Sequence, residues 1–292
     1  MNTYVFDSST KKNIFISFGI GVVLFILGVL FYSNGETSHK HEAATKIEAK
    51  AAPAANEGHH AAPTVKMAII ANVYNVIYFA FYIALAALFF LAATNIAWGG
   101  WQIQIQKIPL AMAATIGFFL AGLLVMFLLF NHDIFHWTHE ELYIKGSKTF
   151  DEVLNIKHDF LNMTTFWIFF VIIAGSCLIL TYKWWSTLTA MDTNPSRKLF
   201  SSSRVIAAVT IVIISFVINT FATWLWSMSI QPHWFSTMFT WNTMASACVT
   251  ALSIIMLFIQ YLKSKGYLPK VDKNHQHEVG ILMFAISVFW CY

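Results

Sequence analysis

Residues 108–130 read IPLAMAATIGFFLAGLLVMFLLF, and residues 131–139 continue as NHDIFHWTH. The first part is long enough, at about 1.5 Å per residue, to cross the bilayer core of about 30 Å as a helix. The second part places three histidines and an aspartate directly after that apolar run. We therefore expect a membrane-spanning helix that ends in protonatable side chains.

Five other runs are similarly long, apolar and free of charge, and they are residues 14–32, 73–97, 161–182, 205–227 and 237–262. Together with 108–130 they predict an all-α integral membrane protein that crosses the bilayer several times. A seventh run, 279–292, would reach only about 21 Å as a helix. The sequence thus stops within a predicted helix, and we expect the natural chain to continue.

The composition agrees with a chain in lipid. Hydrophobic residues make up 58% of the sequence and charged residues 11%, whereas soluble domains have about 25% charged residues. The mean hydropathy is +0.62. These values exclude a disordered chain, a disulfide-rich secreted domain and a nucleic-acid binder.

Three regions follow from this pattern. Residues 1–32 are predicted to be an N-terminal anchor helix, because its apolar stretch exceeds the 7–15 residues or so of a cleaved signal and no clear cleavage site follows. Residues 33–66, rich in Ala, Lys, Glu, His and Pro, are predicted to be a solvated linker. Residues 67–292 are predicted to form the transmembrane helical domain.

The charges between the spans predict the orientation. The N-terminus and the loops 98–107, 183–204 and 263–278 carry 11 Lys and Arg against 4 acids. The opposite side, formed by 33–66, 131–160 and 228–236, carries 7 bases against 10 acids. By the positive-inside rule, the N-terminus faces the cytoplasm.

Cysteine usage bears on cofactors. Cys177, Cys248 and Cys291 lie singly in apolar runs, and the sequence has no Cys-x-x-Cys or Cys-x-x-Cys-His motif. Iron–sulfur clusters and covalently attached haem are therefore expected on other polypeptides. Tryptophans at the predicted span ends are interpreted as interfacial anchors, and they are Trp98, Trp101, Trp184, Trp185, Trp224, Trp226 and Trp234.

The first group of protonatable residues comprises His132, Asp133, His136, His139 and Glu140. If the preceding helix continues through them, His132 and His136 share a face at i,i+4, as do His136 and Glu140. Imidazoles titrate near neutral pH and carboxylates can hold or release the imidazolium, so this stripe suits proton transfer. A hydrated helix cap is the alternative interpretation.

Two further groups of ionisable residues lie at helix ends. His233 lies beside Pro232 in a turn whose aromatic and polar residues suggest a buried, structured loop, and the last group is His275, His277 and Glu278. Helix capping is again the alternative for the last group. Asn219 and Asn242, within the spans, are interpreted as interhelical hydrogen-bonding residues. We predict no metal site, because the doubled histidine boxes of membrane di-iron enzymes are missing.

Three stretches in combination resemble the F subunit of bacterial alternative complex III, which is related to the membrane proteins NrfD and PsrC. They are residues 132–139 (HDIFHWTH), 232–239 (PHWFSTMF) and 275–290 (HQHEVGILMFAISVFW), and the resemblance covers about residues 70–292. It implies helical bundles of the NrfD/PsrC type in the bacterial inner membrane. It also assigns the histidines of the three stretches, with Asp133 and Glu278, to proton transfer.

The resemblance implies a membrane subunit of a respiratory quinol:electron-acceptor oxidoreductase that conducts or translocates protons and holds no redox centre of its own. Quinol, iron–sulfur clusters and c-type haems would be bound by partners: an NrfD-like quinone-binding subunit, an iron–sulfur subunit and c-type cytochrome subunits. In the family an acid is common where Gln231 stands, another near Trp226, and a lysine near Ile281. Their absence leaves a partial channel or a structural role open.

Two other classes of function remain possible from the residues. The chain could be a quinone-binding subunit in which His132–His139 hold the quinone head group. It could also be an independent membrane di-iron enzyme or a transporter. The six complete spans contain no charged residue or histidine in their central turns, which argues against an ion-coupled transporter.

Overall fold

The computed structural model describes residues 7–47, 65–144 and 149–292. This part of the chain is helical, with no strands and with 85% of it in helices. Six helical segments are long and apolar enough to cross a membrane, and they are Ser8–Gly28, Val65–Ile96, Lys107–Ile134, Met163–Thr193, Arg197–Ile230 and Thr237–Ser264. The predicted all-α, multi-pass architecture is confirmed at this level.

The chain divides into two compact units, Met1–Val73 and Tyr74–Tyr292. In the first unit, helix α1 (Ser8–Ile47) contains the predicted anchor, and none of the residues in its candidate span is buried. The helix continues into the predicted linker 33–66, where Ala, Glu and Lys favour helix. The rest of that linker, apart from its last two residues, lies at positions 48–64, outside the described residues.

The second unit contains most of α2 and all later helices. In chain order the helices are α2 (Val65–Ile96), α3 (Lys107–Ala113), α4 (Ile116–Ile134), α5 (Glu152–Lys157), α6 (Met163–Thr193), α7 (Arg197–Val212), α8 (Asn219–Trp226), α9 (Thr237–Ser264) and α10 (Lys273–Cys291). A π-helical segment, Ile213–Ile218, joins α7 to α8. Thus α3 and α4 form one span, and α7, the π-segment and α8 form another.

Helix α2 is the most buried span. In its most apolar stretch 61% of the residues are buried, compared with 28–39% in the four later spans. Its approach to α4 is close because Gly122 faces Ile77: a Cβ at Gly122 would lie 3.1 Å from Ile77 Cγ2. Aromatic rings pack around it, with Phe127 and Phe166 stacked at 3.8 Å between α4 and α6. This packing places the buried face of α2 at the centre of the second unit.

Two ends of the second unit are defined by contacts between loops. At one, which we call the His132 end, the loop 131–160 meets the turn 228–236 through His233 and Asp151. At the other, the Lys107 end, Lys107 pairs with Asp192 at 2.6 Å. There the guanidinium of Arg204 also stacks on Trp98 at 3.8 Å. The loops that contact one another at each end are those placed on the same side by the alternating direction of successive spans.

Helices α9 and α10 also meet at the Lys107 end. Helix α9 stops at Ser264, and Gly266 follows with φ +78°, a left-handed conformation that favours glycine. Beyond the turn, Val271 and Val279 pack with Ile105 and other apolar side chains of α2, α3 and α9. Helix α10 begins at Lys273, before the predicted start of its apolar run, because Asp272 caps it.

The interpretation of all seven tryptophans as interfacial anchors was wrong for Trp184 and Trp226. They are 0% and 2% exposed. The indole of Trp184 donates to Thr210 Oγ1 at 3.0 Å, between α6 and α7. Both belong to the packed core, whereas Trp98, Trp185, Trp224 and Trp234 are exposed as an interfacial position requires.

Candidate functional site

The histidines after α4 do not form an α-helical stripe. Helix α4 ends at Ile134 because Phe135 is extended, with φ −108° and ψ 103°. A short 3-10 turn, His136–Thr138, follows. His132, His136 and Glu140 were predicted to share one face if the helix continued through them. The helix does not continue, so this prediction is wrong. Phe135 forces the break because its side chain is 1% exposed and buried in the aromatic core.

The turn brings the histidines together in another way. The ring of His139 lies 5.2 Å from that of His132 and 5.9 Å from that of His136, between centroids. All three imidazoles are exposed, as are Asp133 and Glu140, which adjoin them in sequence. No group of three His, Cys, Asp or Glu side chains in the described part of the chain is arranged to hold a metal ion.

Hydrogen bonds fix which nitrogens of two of these rings carry protons. Thr138 Oγ1 donates to the Phe135 carbonyl at 2.8 Å, so His132 Nδ1, 3.1 Å away, must donate to that hydroxyl. His139 Nε2 lies 3.1 Å from the His132 carbonyl and must donate to it. In the neutral rings, His132 Nε2 and His139 Nδ1 are therefore the hydrogen-bond acceptors.

His233 makes a contact with a carboxylate that the sequence did not reveal. Its Nε2 lies 2.7 Å from Asp151 Oδ2. The other carboxylate oxygen of Asp151 accepts the backbone N–H groups of Val153 at 2.9 Å and Leu154 at 3.2 Å, which caps α5. Asp151 thus joins the turn 228–236 to the loop that carries the other histidines.

Tyr143 stabilises the same loop. Its hydroxyl donates to the Trp137 carbonyl at 2.9 Å, and its ring lies 4.6 Å from that of His158. Burial, and after it the negative charge of Asp151, raises the pKa of Tyr143. The phenol therefore stays protonated and remains a donor at physiological pH.

Replacing Asp151 by alanine should lower the free energy of unfolding by about 2 kcal/mol, because it removes a helix cap and the partner of His233. Asparagine caps about as well as aspartate, so Asp151→Asn should cost about half as much. Thermal unfolding followed by tryptophan fluorescence measures the difference. The control is Asp159→Ala, an exposed acid near the same loop, and equal effects at the two positions would contradict this assignment.

The third predicted group is at the other end of the molecule. Helix α9 has 28 residues, or about 42 Å at 1.5 Å per residue, and it separates His233 from His275. The Asp272 carboxylate accepts the N–H of His275 at 3.1 Å, and His275 Nδ1 lies 2.6 Å from the same oxygen. His275 therefore serves as part of a capping box, while His277 and Glu278 are exposed.

This capping box predicts a pH dependence at the start of α10. The hydrogen bonds between the Asp272 carboxylate and His275 lower the pKa of Asp272 from 3.8. When folding lowers the pKa of a carboxyl group, the ionised group stabilises the folded state at pH values above its unfolded-state pKa. This stabilisation is lost as the pH falls through the pKa of the folded state. Amide hydrogen exchange of Asn274 and His275, corrected for intrinsic rates, should lose protection below about pH 4. Protection in Asp272→Ala should be low at every pH, and a wild-type pH profile in that variant would refute the explanation.

A buried tyrosine ladder leads inward from the His132 end. Tyr74, Tyr78 and Tyr82 repeat every four residues on α2 and are at most 5% exposed. The Tyr74 ring packs edge-on against Phe135 at 5.8 Å, and the rings of Tyr78 and Tyr82 lie 4.9 Å apart. We call these three residues the tyrosine ladder.

Helix α8 supplies polar partners for Tyr74 and Tyr82, whereas the buried Tyr78 hydroxyl has no hydrogen-bond partner among the described residues. The Tyr74 hydroxyl donates to the Trp226 carbonyl at 2.6 Å. The Tyr82 hydroxyl lies 2.7 Å from Thr223 Oγ1, and Thr223 Oγ1 donates to the Asn219 carbonyl at 2.7 Å. The oxygens of Tyr82 and Thr223 thus form a short buried chain of hydroxyl groups.

This chain ends at the backbone carbonyl of Asn219, the residue directly after the π-segment Ile213–Ile218. Its side chain is 0% exposed, and neither amide atom has a hydrogen-bond partner among the described residues. Asn219 accepts an interhelical hydrogen bond from the Tyr82 hydroxyl at 3.2 Å, but through its backbone carbonyl and not through its side chain, and Asn242 is exposed. A π-segment beside an unsatisfied buried amide is typical of a functional position.

Sequence reasoning missed the tyrosine ladder, Asp151 and Asp272. The i, i+4, i+8 spacing of the tyrosines was readable in the span 73–97, but only charged residues and histidines were considered there. Asp151 could have been found as a helix cap from its position before an amphipathic stretch. Its partner His233 comes from a distant part of the chain and has no local signal.

No family model and no curated protein sequence matches the chain.

Proposed function

We propose that the chain is an integral membrane subunit of a respiratory quinol:electron-acceptor oxidoreductase of the alternative complex III type, and that it conducts or translocates protons coupled to quinol oxidation. The tyrosine ladder is the observation that carries the proton-conducting part of the proposal. It lies between Phe135, which is next to His136 in the sequence, and the backbone carbonyl of Asn219, a residue whose buried side-chain amide has no partner among the described residues. The NrfD/PsrC-type fold and the partners rest on the sequence resemblance.

Proton uptake begins at the His132 end. His132 Nε2 and His139 Nδ1 are free to accept protons in the neutral rings, as their hydrogen bonds require. The pair His233–Asp151 supplies another imidazole at the same end, and this one contacts a carboxylate. Imidazole nitrogens and carboxylate oxygens can each bind and release a proton, so this end acts as a collecting surface.

Hydroxyl groups then carry the proton inward. A phenol or threonine hydroxyl donates one hydrogen bond and accepts another, so it can pass a proton without holding a permanent charge in the membrane. From Tyr74 to Tyr82 the ladder covers eight residues of α2, or about 12 Å. Beyond it, the buried side chains of α2 at Leu85, Leu88 and Leu91 are apolar. The hydroxyl groups of α2 and α8 therefore cover the part of the path next to the His132 end, and the rest of a transmembrane path would run through internal water molecules.

The Asn219 amide is suited to extend this path. A buried amide without protein partners costs about 1–3 kcal/mol unless another group satisfies it, and an internal water molecule does so in many proteins. A water molecule bound by Asn219 would continue the hydrogen-bonded chain from Thr223. The amide is neutral, so it adds polarity without adding charge.

The partners supply the redox chemistry in this proposal. A quinone-binding subunit, an iron–sulfur subunit and c-type cytochromes would hold the quinol, the clusters and the haems, in the bacterial inner membrane with the N-terminus of this chain in the cytoplasm. Purification of the tagged chain from its native membrane in mild detergent tests this directly. Multihaem cytochrome and iron–sulfur subunits in fixed ratio are expected. A chain that purifies alone, from membranes in which such a complex stays assembled, would refute the assignment.

A further inference from the structure

A half-open cavity of about 260 Å³ lies at the His132 end. It is where the end of α5, the end of α8 and the start of α9 meet. Its wall is almost entirely apolar and includes Phe160, Trp224, Trp234 and Phe235. The cavity is separate from the tyrosine ladder, none of whose residues lines it.

Lys157 is the one charged residue in this lining. Its ammonium donates to the Pro232 carbonyl and lies 5.8 Å from the centre of the Phe235 ring. No carboxylate in the described ranges pairs with it. An ammonium has three donors and the carbonyl uses one, so a half-buried positive charge on an apolar wall is left without a negative partner. An anion is the ligand that complements it.

The start of α9 adds positive potential to the same cavity. Ser236 and Thr237 both line it, and Ser236 makes no side-chain cap hydrogen bond to the described residues. The first backbone N–H groups of a helix lack intrahelical partners and carry a partial positive charge. Their effect adds to that of Lys157, so the polar edge of the cavity is positive.

The position of the cavity in the membrane follows from the spans. It lies where the span Arg197–Ile230 ends and the span Thr237–Ser264 begins. Trp224, Trp234 and Phe235 are 36%, 47% and 75% exposed, as expected for aromatic residues at the level of the lipid head groups. A phospholipid at this depth has its phosphate beside the polar edge and the start of its acyl chains beside the apolar wall.

We propose that this cavity is a binding site for an anionic phospholipid. The phosphate contacts the Lys157 ammonium and the start of α9, and an acyl chain packs on Phe160, Trp224 and Trp234. Of the molecules that a membrane offers, this class combines a negative head group with an apolar chain. A quinone has a neutral head group, so it would leave the positive charge of Lys157 without a negative partner.

Native mass spectrometry of the full chain tests the site. The protein is reconstituted with equal amounts of phosphatidylglycerol and phosphatidylcholine that carry the same acyl chains, and retained lipids are counted after mild delipidation. We expect preferential retention of phosphatidylglycerol. Lys157→Gln should weaken this retention about tenfold, the effect of losing one charge-assisted hydrogen bond, while Lys157→Arg should keep it.

Lys198→Gln is the matched control, since Lys198 is exposed at the start of α7, at the Lys107 end. Thermal unfolding of the unmodified protein gives a reading that needs no variant: added phosphatidylglycerol should raise the unfolding temperature more than phosphatidylcholine does. Equal retention of the two lipids, unchanged retention in Lys157→Gln, or displacement of phosphatidylglycerol by a quinone would each overturn the proposal.

Discussion

Replacing Tyr74, Tyr78 and Tyr82 together by phenylalanine is expected to lower proton conductance through the chain by about two orders of magnitude, the lower range of what positioned proton donors contribute to a reaction. Each substitution removes one hydroxyl and keeps the ring. Tyr74 would lose its bond to the Trp226 carbonyl, and Tyr82 would lose its contact with Thr223. The aromatic packing around α2 would remain.

Conductance is measured in vesicles that contain the full chain and a trapped pH-sensitive dye, with the membrane potential set by a potassium gradient. Tyr182→Phe is the matched control, because Tyr182 is 69% exposed on the spanning helix α6. Lost hydrogen bonds should reduce the free energy of unfolding by only about 1 kcal/mol each. If the triple variant unfolds normally and conducts like the control, the tyrosine ladder is a packing feature only.

The second large effect is expected at Asn219, where stability and conductance should change in opposite directions. Leucine has the same branching at Cγ and no polar atom, so Asn219→Leu removes a buried amide that has no protein partner among the described residues. We expect the free energy of unfolding to rise by about 1–2 kcal/mol. We expect proton conductance to fall about tenfold, because leucine cannot hold the water molecule proposed to continue the path.

Asn242→Leu is the control, since Asn242 is exposed on α9 and should change neither quantity. The two measurements are the vesicle assay and unfolding in detergent. A destabilised Asn219→Leu protein would mean that the amide has a structural hydrogen-bonding role. A stabilised protein with unchanged conductance would exclude Asn219 from the path.

The spans were predictable because length and hydropathy alone decide whether a helix can cross the bilayer. The end of α4 was not, because it depends on Phe135. The pattern of residues 131–139 allows a continued helix, and only the burial of Phe135 among Tyr74, Phe127 and Phe166 makes the chain turn there. Such a break is decided by tertiary packing, which a local pattern does not contain.

The candidate site was predictable only where its residues are close together in the sequence. The histidines of the 131–139 stretch were visible as a cluster in sequence, and His139 approaches both others. The partner of His233 was not visible, because Asp151 reaches it through the packing of two separate loops. His275 was assigned to proton transfer from the sequence, whereas its capping role follows from Asp272, outside the quoted motif.

Proton flux through the unmodified chain tests the central claim most directly. Vesicles that contain the purified protein, at a fixed membrane potential, should change internal pH at a rate that rises in proportion to the number of chains per vesicle. Potassium and sodium ions, each tested as the only permeant cation, should show no flux that rises with the number of chains per vesicle. A proton flux equal to that of protein-free vesicles, from protein whose helical content is intact, would contradict the account.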